Sequence, residues 1–329
     1  MSIIDEVLSR SEFQEEPPIL FDVGASGGLN PAWKKLAKYS VCVAFDPDDR
    51  EMVATRKDSS VYRELHVFNR ALTSGSEGSS VFHLTSSPAC SSLLRPKGEA
   101  LANWEFASRF AVVKETTIET VHVSTVLREL GLNRIDWFKT DSQGTDLRLF
   151  LSLGTSIISR VLVAEFEPGI MDAYENEDKL WTVMLRMDEL GFWMSDMTVK
   201  GSNRIRKDLL TGFSKFERTY MIHLHKMSPG WAEVTYLNSM FGLDVGKRDY
   251  LLAWICASSR RQHGFALELA GAGHQRFGDP IFSRLKECSS RKIRGAYLNL
   301  FAYYPLFLRA LRRWKRLGIV RFLYSTEPK

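Results

Sequence analysis

Residues 19–30 read Ile19-Leu20-Phe21-Asp22-Val23-Gly24-Ala25-Ser26-Gly27-Gly28-Leu29-Asn30, an apolar run that ends in a glycine-rich bend. Such a run suits a strand covered on both faces. The glycines let the backbone turn sharply and approach a ligand closely. A helical stretch expected from Ala32 to Lys38 follows, so N–H groups at the bend would favour an anionic or polar group. Strand, bend and helix in this order form the opening unit of a doubly wound α/β sheet.

The rest of the chain fits that frame. Short β-rich runs alternate with helical patterns up to about residue 226, which predicts a largely parallel sheet with crossover helices. Strands are expected at Ile19–Val23, Val41–Phe45, His66–Leu72, Ile135–Thr140, Val161–Phe166, Phe192–Met197 and Thr219–His225. An alternating pair, Ser80–Leu84 and Lys114–Val121, reads as an insertion between the third and fourth strands. Helices are expected at Val126–Leu130, Thr145–Leu153 and Lys179–Leu190. Beyond Met227 the pattern turns helical, at Leu251–Ser258, Gly264–Ala270 and Ile281–Cys288. The expected division is a domain over 1–230 and a basic helical extension over 231–329, with a boundary near 228–247.

Two cofactor classes use a glycine bend of this kind. Nicotinamide dinucleotides take G-x-G-x-x-G, whereas a methyltransferase shows an acid before the first glycine, D-x-G-x-x-x-G. Asp22, Gly24 and Gly28 match the second form. A carboxylate there suits a cofactor carrying an ammonium group and would repel a pyrophosphate. A short-chain dehydrogenase would also need a Tyr-x-x-x-Lys pair, and no tyrosine has a lysine four residues later. The second strand ends in Phe45-Asp46-Pro47-Asp48, roughly two dozen residues beyond Asp22, where an acid meets ribose hydroxyls in such folds.

Three further segments make the chain resemble the FkbM family of methyltransferases. They are Asn69-Arg70-Ala71-Leu72 with the Ser-rich stretch after it, Ile135-Asp136-Trp137-Phe138-Lys139-Thr140-Asp141-Ser142-Gln143-Gly144, and Val161-Leu162-Val163-Ala164-Glu165-Phe166-Glu167-Pro168. The middle segment is similar to the family's strand ending in Lys-x-Asp-x-x-Gly, although Thr140 and Ser142 replace positions that are more often aliphatic. The resemblance covers about residues 19–226. It implies a seven-stranded class I sheet of the Rossmann-like kind with an antiparallel last strand, S-adenosyl-L-methionine as cofactor, and O-methylation of sugars, glycolipids or small metabolites. The candidate cofactor contacts are then Asp22, Gly24, Ala25, Ser26, Gly28, Asp46, Pro47, Ala71 and Asp141.

Methyl transfer to a hydroxyl needs alignment and commonly a base or a metal for the departing proton. Asp141 ends the fourth strand and Glu165 the fifth, so these two are the candidate catalytic acids. Asp141 would hold an ammonium, act as base or ligate a cation; alternatively it caps the helix after Thr145. Glu165 would join it as an oxygen ligand for Mg2+, although no complete metal set is visible. His66 is a weaker candidate base, and His223 and His225 would share a face of the last strand. The hydroxyls of Thr85–Ser92 would either bind a polyhydroxylated acceptor or sit in an inert loop. The basic run Lys200–Lys207 would clamp a phosphate or simply be solvated. The Asn-Pro-Pro-Tyr turn used for exocyclic amines is absent where Asp141-Ser142-Gln143-Gly144 stands.

With 44% hydrophobic and 25% charged residues among 329, disorder is excluded. Cys42, Cys90, Cys256 and Cys288 lie far apart, which fits neither a disulfide framework nor a zinc site and suits a reducing cytoplasm. The net charge of +5 hides an asymmetry: residues 284–329 hold twelve Lys or Arg against Glu287 and Glu327. The segment Tyr297–Leu308 followed by basic Arg309–Arg316 suits an anionic membrane surface on the inner face, a docking helix within the protein or a homo-oligomer, or a nucleic-acid contact. An RNA methyltransferase and a catalytically silent binding module remain the alternative functions.

Overall fold

The computed structural model describes residues 2–25, 30–48, 60–224, 226–240 and 245–295, together with Arg309. Ten strands follow in chain order: β1 (Ile19–Val23), β2 (Val41–Phe45), β3 (Glu64–Phe68), β4 (Ala71–Leu72), β5 (Gly78–Thr85), β6 (Val112–Val121), β7 (Trp137–Thr140), β8 (Val163–Phe166), β9 (Phe192–Ser202) and β10 (Ser228–Asn238). Seven form one sheet in the order β3-β2-β1-β7-β8-β10-β9. Each described pairing from β3 to β8 is parallel, and β10 runs antiparallel to both β8 and β9. This is the arrangement of a class I methyltransferase sheet.

Every residue of β1 and β2 is buried, because both faces of the sheet are covered. On one face Phe21, Val43, Phe138 and Phe166 pack beneath the helices Val123–Glu129, Asp146–Leu151 and Leu180–Glu189. Phe21 and Phe138, opposite each other in the register, stack at 5.9 Å between ring centroids. On the other face Leu20, Cys42, Trp137 and Val163 pack with Trp33 and with Leu251, Leu252, Trp254, Phe282 and Leu285 of the C-terminal helices. Those helices, Lys247–Ser259, His263–Phe277 and Pro280–Gly295, therefore complete the core.

The lower end of the sheet is locked by charge. Buried Asp136 accepts from the Ile19 N–H at 2.8 Å and from both terminal nitrogens of Arg248, at 2.9 and 2.8 Å. Arg248 also donates to the carbonyls of Glu16 and Pro17. Arg248 and Arg134 hold the Asp136 carboxyl below its usual range against the opposing effect of burial.

Four expectations need correction. The segment Thr219–His225 is not a strand: residues up to Leu224 belong to the helix Lys215–Leu224, and His225 lies outside the described residues. Ser214 and Glu217 start that helix with a reciprocal capping box, at 3.2 and 2.7 Å, which overrides the β-prone Thr-Tyr-Met-Ile run. The seventh sheet strand is Ser228–Asn238, so the sheet runs through residue 230, where a domain edge was expected. The expected helix Ala32–Lys38 is instead two 3-10 turns, Pro31–Trp33 and Ala37–Tyr39. A 3-10 turn rises further per residue, which lets a short crossover span the strand length. The third strand breaks after Phe68, and Ala71–Leu72 joins a small sheet, β4-β6-β5, built on the inserted hairpin.

Candidate active site

The sheet order reverses at β1, since the chain proceeds outward through β2 and β3 and returns on the other side at β7. Ligands of open α/β sheets bind at the carboxyl ends of strands beside such a reversal. Gly24 sits there with φ +74°, and a Cβ on it would lie 2.3 Å from the Asp141 carbonyl oxygen. Only glycine satisfies both the left-handed conformation and that contact. The bend is held by the N–H groups of Gly24 and Ala25, both 2.9 Å from the Phe45 carbonyl, and by the Asp141 N–H on the Val23 carbonyl, also 2.9 Å. Strands β1, β2 and β7 are thus tied together at their carboxyl ends.

A cleft of about 80 Å³ opens above this knot and continues into solvent at its mouth. Gly24, Asp46, Pro47, Ala71 and Asp141 of the expected set all line it. Asp46 is buried and accepts the Asp48 N–H at 2.8 Å, so the turn after β2 holds both acids at the rim. Leu72, Phe82, Pro88 and Leu93 supply an apolar wall. Ala25 is buried in the bend and does not reach the cleft lining, while Ser26 and Gly28 lie outside the described residues.

Asp22, expected as a cofactor contact, has a partner within the protein. Its carboxylate accepts from Lys139 Nζ at 2.7 Å, and the two residues face each other in the β1–β7 register. Burial pushes the Asp22 carboxyl up and Lys139 pulls it back; Lys139 itself is raised, with Asp22 and then Asp141 outweighing its burial. The Lys139 ammonium, 2.7 Å away, favours the charged form of the Asp22 carboxyl against the effect of burial. Asp22 is absent from the cleft lining.

Asp141 is held by the amide nitrogen of Gln143, and Gln143 adopts φ +56° to reach it. The hydroxyl of Tyr174 lies 2.9 Å from Gln143 Oε1 and 2.9 Å from the Cys90 carbonyl. Ser92 Oγ donates to the Gln143 carbonyl at 2.8 Å. The Ser-rich segment is therefore part of the wall: Ser86, Ser92 and Thr85 hydroxyls all donate to backbone carbonyls. Burial raises the Asp141 carboxyl to about 6, with Lys139 opposing and Asp146 reinforcing the shift.

Sequence reasoning missed Asp146, which does most to shape this loop. It accepts from Thr140 Oγ1 at 3.0 Å, from the Ser142 N–H at 2.8 Å and Ser142 Oγ at 2.5 Å, and from the Glu167 N–H at 2.8 Å. Its signal was an acid in the first turn of the helix after β7, where a carboxylate meets unpaired N–H groups.

Glu165 does not line the same cleft. It borders a second, open cavity of about 200 Å³ with Lys139, Glu167, Glu233, Thr235 and Arg260, across the end of β7 from Asp141. Arg260 Nη1 lies 3.2 Å from Glu165 Oε1, and Asn30 Nδ2 donates to Oε2 at 3.4 Å. Burial raises Glu165, with Arg260 drawing it back. Glu167 is pushed up to about 9 by burial and by the neighbouring Asp141, Asp146 and Glu233, so it is protonated at neutral pH. Among the described residues no group of three or more His, Cys, Asp or Glu side chains is arranged to hold a metal ion. The Mg2+ expectation therefore finds no support. His66 pairs with Glu64 at 2.8 Å and is absent from both cavity linings. In the basic loop, Arg206 is bound to Asp208. The segment from 296 onward, Arg309 apart, lies outside the described residues, as do most of the tail residues on which the membrane and docking readings rest.

A family model described as the methyltransferase FkbM domain matches residues 22–194. The match begins at Asp22 and ends within β9, so it takes in the bend, both cavities' β7 and β8 edges and the inserted hairpin. No curated protein matches the chain. By that match, and with the strand order and the glycine bend agreeing with it, the chain belongs to the FkbM methyltransferase family.

Proposed function

We propose that the cleft over β1, β2 and β7 binds S-adenosyl-L-methionine, and that the protein methylates a hydroxyl of a sugar, glycolipid or small metabolite. The observation that carries this reading is the packing of Gly24 on the Asp141 carbonyl at the sheet reversal, with Asp46 at the neighbouring strand end. An apolar wall suits an adenine ring, Asp46 suits ribose hydroxyls, and Asp141 suits the ammonium that Asp22, bound to Lys139, no longer serves. When bound, the cofactor supplies an electrophilic methyl group on a sulfonium.

The second cavity takes the acceptor in this reading. It is polar on nearly every side, which suits a hydroxylated ligand more than a hydrophobic one. Protonated Glu167 donates a hydrogen bond to an acceptor oxygen, and Glu165, oriented by Arg260 and Asn30, takes the proton that leaves the reacting hydroxyl. Glu165→Gln is expected to lower turnover by about 100-fold or more while cofactor affinity stays within about twofold, as for loss of a general base. Equal loss of cofactor affinity would place Glu165 in the cofactor site and remove this role.

A further inference from the structure

We infer that the segment joining β9 to β10 is a docking surface for an anionic phospholipid bilayer. The helix Lys215–Leu224 leaves large apolar side chains in solvent: Phe216 is 79% exposed and Tyr220, one turn on, 50%. Met221 lies more than a quarter turn away from both, is only partly exposed, and accepts from Asn203 through its carbonyl. An ordinary surface helix keeps its apolar side chains against the core. Leu209 and Met227, which flank the helix, are 59% and 51% exposed, and Phe213 adds a third exposed ring.

Charge complementarity selects the partner. From Lys200 to Met227 there are seven Lys or Arg and two acids, against a chain that is otherwise acidic outside its C-terminal tail. Arg204, Lys207, Lys215 and Lys226 are exposed and form no ion pair with a described residue. Aromatic and aliphatic side chains interleaved with cations are what the headgroup zone of an anionic bilayer accepts. A second copy of this chain would have to bury the same cations against a protein surface.

The placement also relates the surface to the cleft. The Glu105 N–H donates to the Asn203 carbonyl at 3.1 Å, and Phe106, Phe110 and Tyr174 form a continuous run of ring contacts. Tyr174 then touches Gln143, which holds Asp141. The docked segment is thereby joined, through these contacts, to a residue of the cleft lining.

The test is flotation of the full-length protein with phosphatidylcholine vesicles, with and without phosphatidylglycerol, at low and high salt. Binding to the anionic vesicles alone, weakened by salt, is expected for the unaltered protein. Phe216→Ser with Tyr220→Ser should weaken it at least about tenfold, since apolar contact with the bilayer is lost. A circular dichroism melt should still show a cooperative transition, so that the loss is one of binding and not of folding. Binding unchanged in this variant, including binding held by residues 296–329, overturns the proposal. So does no flotation of the unaltered protein, or light scattering that shows a dimer dissolved by the two substitutions.

Discussion

Lys139 is the residue whose role changes most once the fold is known. In the sequence it is the first member of Lys-x-Asp-x-x-Gly; in the structure it neutralises Asp22, 117 positions earlier, through a 2.7 Å contact. Removing one partner of a buried pair leaves the other without compensation. Lys139→Met should therefore cost about 3–5 kcal/mol in urea denaturation. The double variant Asp22→Asn with Lys139→Met should recover much of that loss. A single variant as stable as the parent would show that the pair is not buried as described. Asp141 belongs to the same scale. Its carboxyl, raised to about 6, must be ionised to hold an ammonium, so affinity for a cationic ligand should rise with pH through about 6 and level off above it. Calorimetry below pH 6 should show a proton released on binding, and pH-independent affinity between 5 and 8 would remove Asp141 from that role. That Gly24, Asp46, Pro47 and Asp141 line the cleft was legible because each sits at or just beyond a strand end beside a turn signal, whereas Ala71 came from the family resemblance alone. The Lys139 contact was not, because it depends on the β1–β7 register, which no local pattern encodes.

Elements were legible in proportion to how completely they are buried. Strands Ile19–Val23 and Val41–Phe45 match expectation residue for residue, since unbroken apolar runs between turn residues have few other readings. The last sheet strand was missed because Pro229 and Gly230 interrupt its pattern where the register shifts between Pro229 and Trp231. The β-prone run Thr219–His225 just upstream, which a capping box turns into helix, took its place. The helix Lys247–Ser259 was expected as part of an appendage and instead supplies Arg248 to the Asp136 carboxylate. Arg248→Ala should destabilise the fold by about 3–5 kcal/mol, because Asp136 is left charged and buried. Asp136 is depressed in the fold, so its contribution is present above the ordinary carboxylate range and disappears as pH falls below it. The variant should lose that acid dependence, which denaturation at pH 7 and pH 3 would measure; equal losses in the two proteins would contradict it.

At the scale of the whole molecule, the C-terminal helices close one face of the sheet, covering Leu20, Trp33 and Trp137 with Leu251, Trp254 and Phe282. A chain ended at residue 240 should consequently fail to fold cooperatively, whereas one ended at residue 295 should retain the thermal transition of the full protein. Charge, by contrast, was readable from composition: an acidic body and a basic tail follow from counting, although where the basic β9–β10 segment faces does not. The family match covers the body as far as residue 194 and names a methyltransferase. Among the described residues no helix is long and apolar enough to cross a membrane.

The Gly24 bend, packed against the end of β7, is expected to hold a sulfonium nucleoside. Isothermal titration of the full-length protein and of Gly24→Val with S-adenosyl-L-methionine and its demethylated product tests it most directly. The expected result is binding of both by the unaltered protein and none detectable by the variant, whose Cβ would meet the Asp141 carbonyl. Absence of heat with either nucleoside, or equal binding by the two proteins, would contradict it.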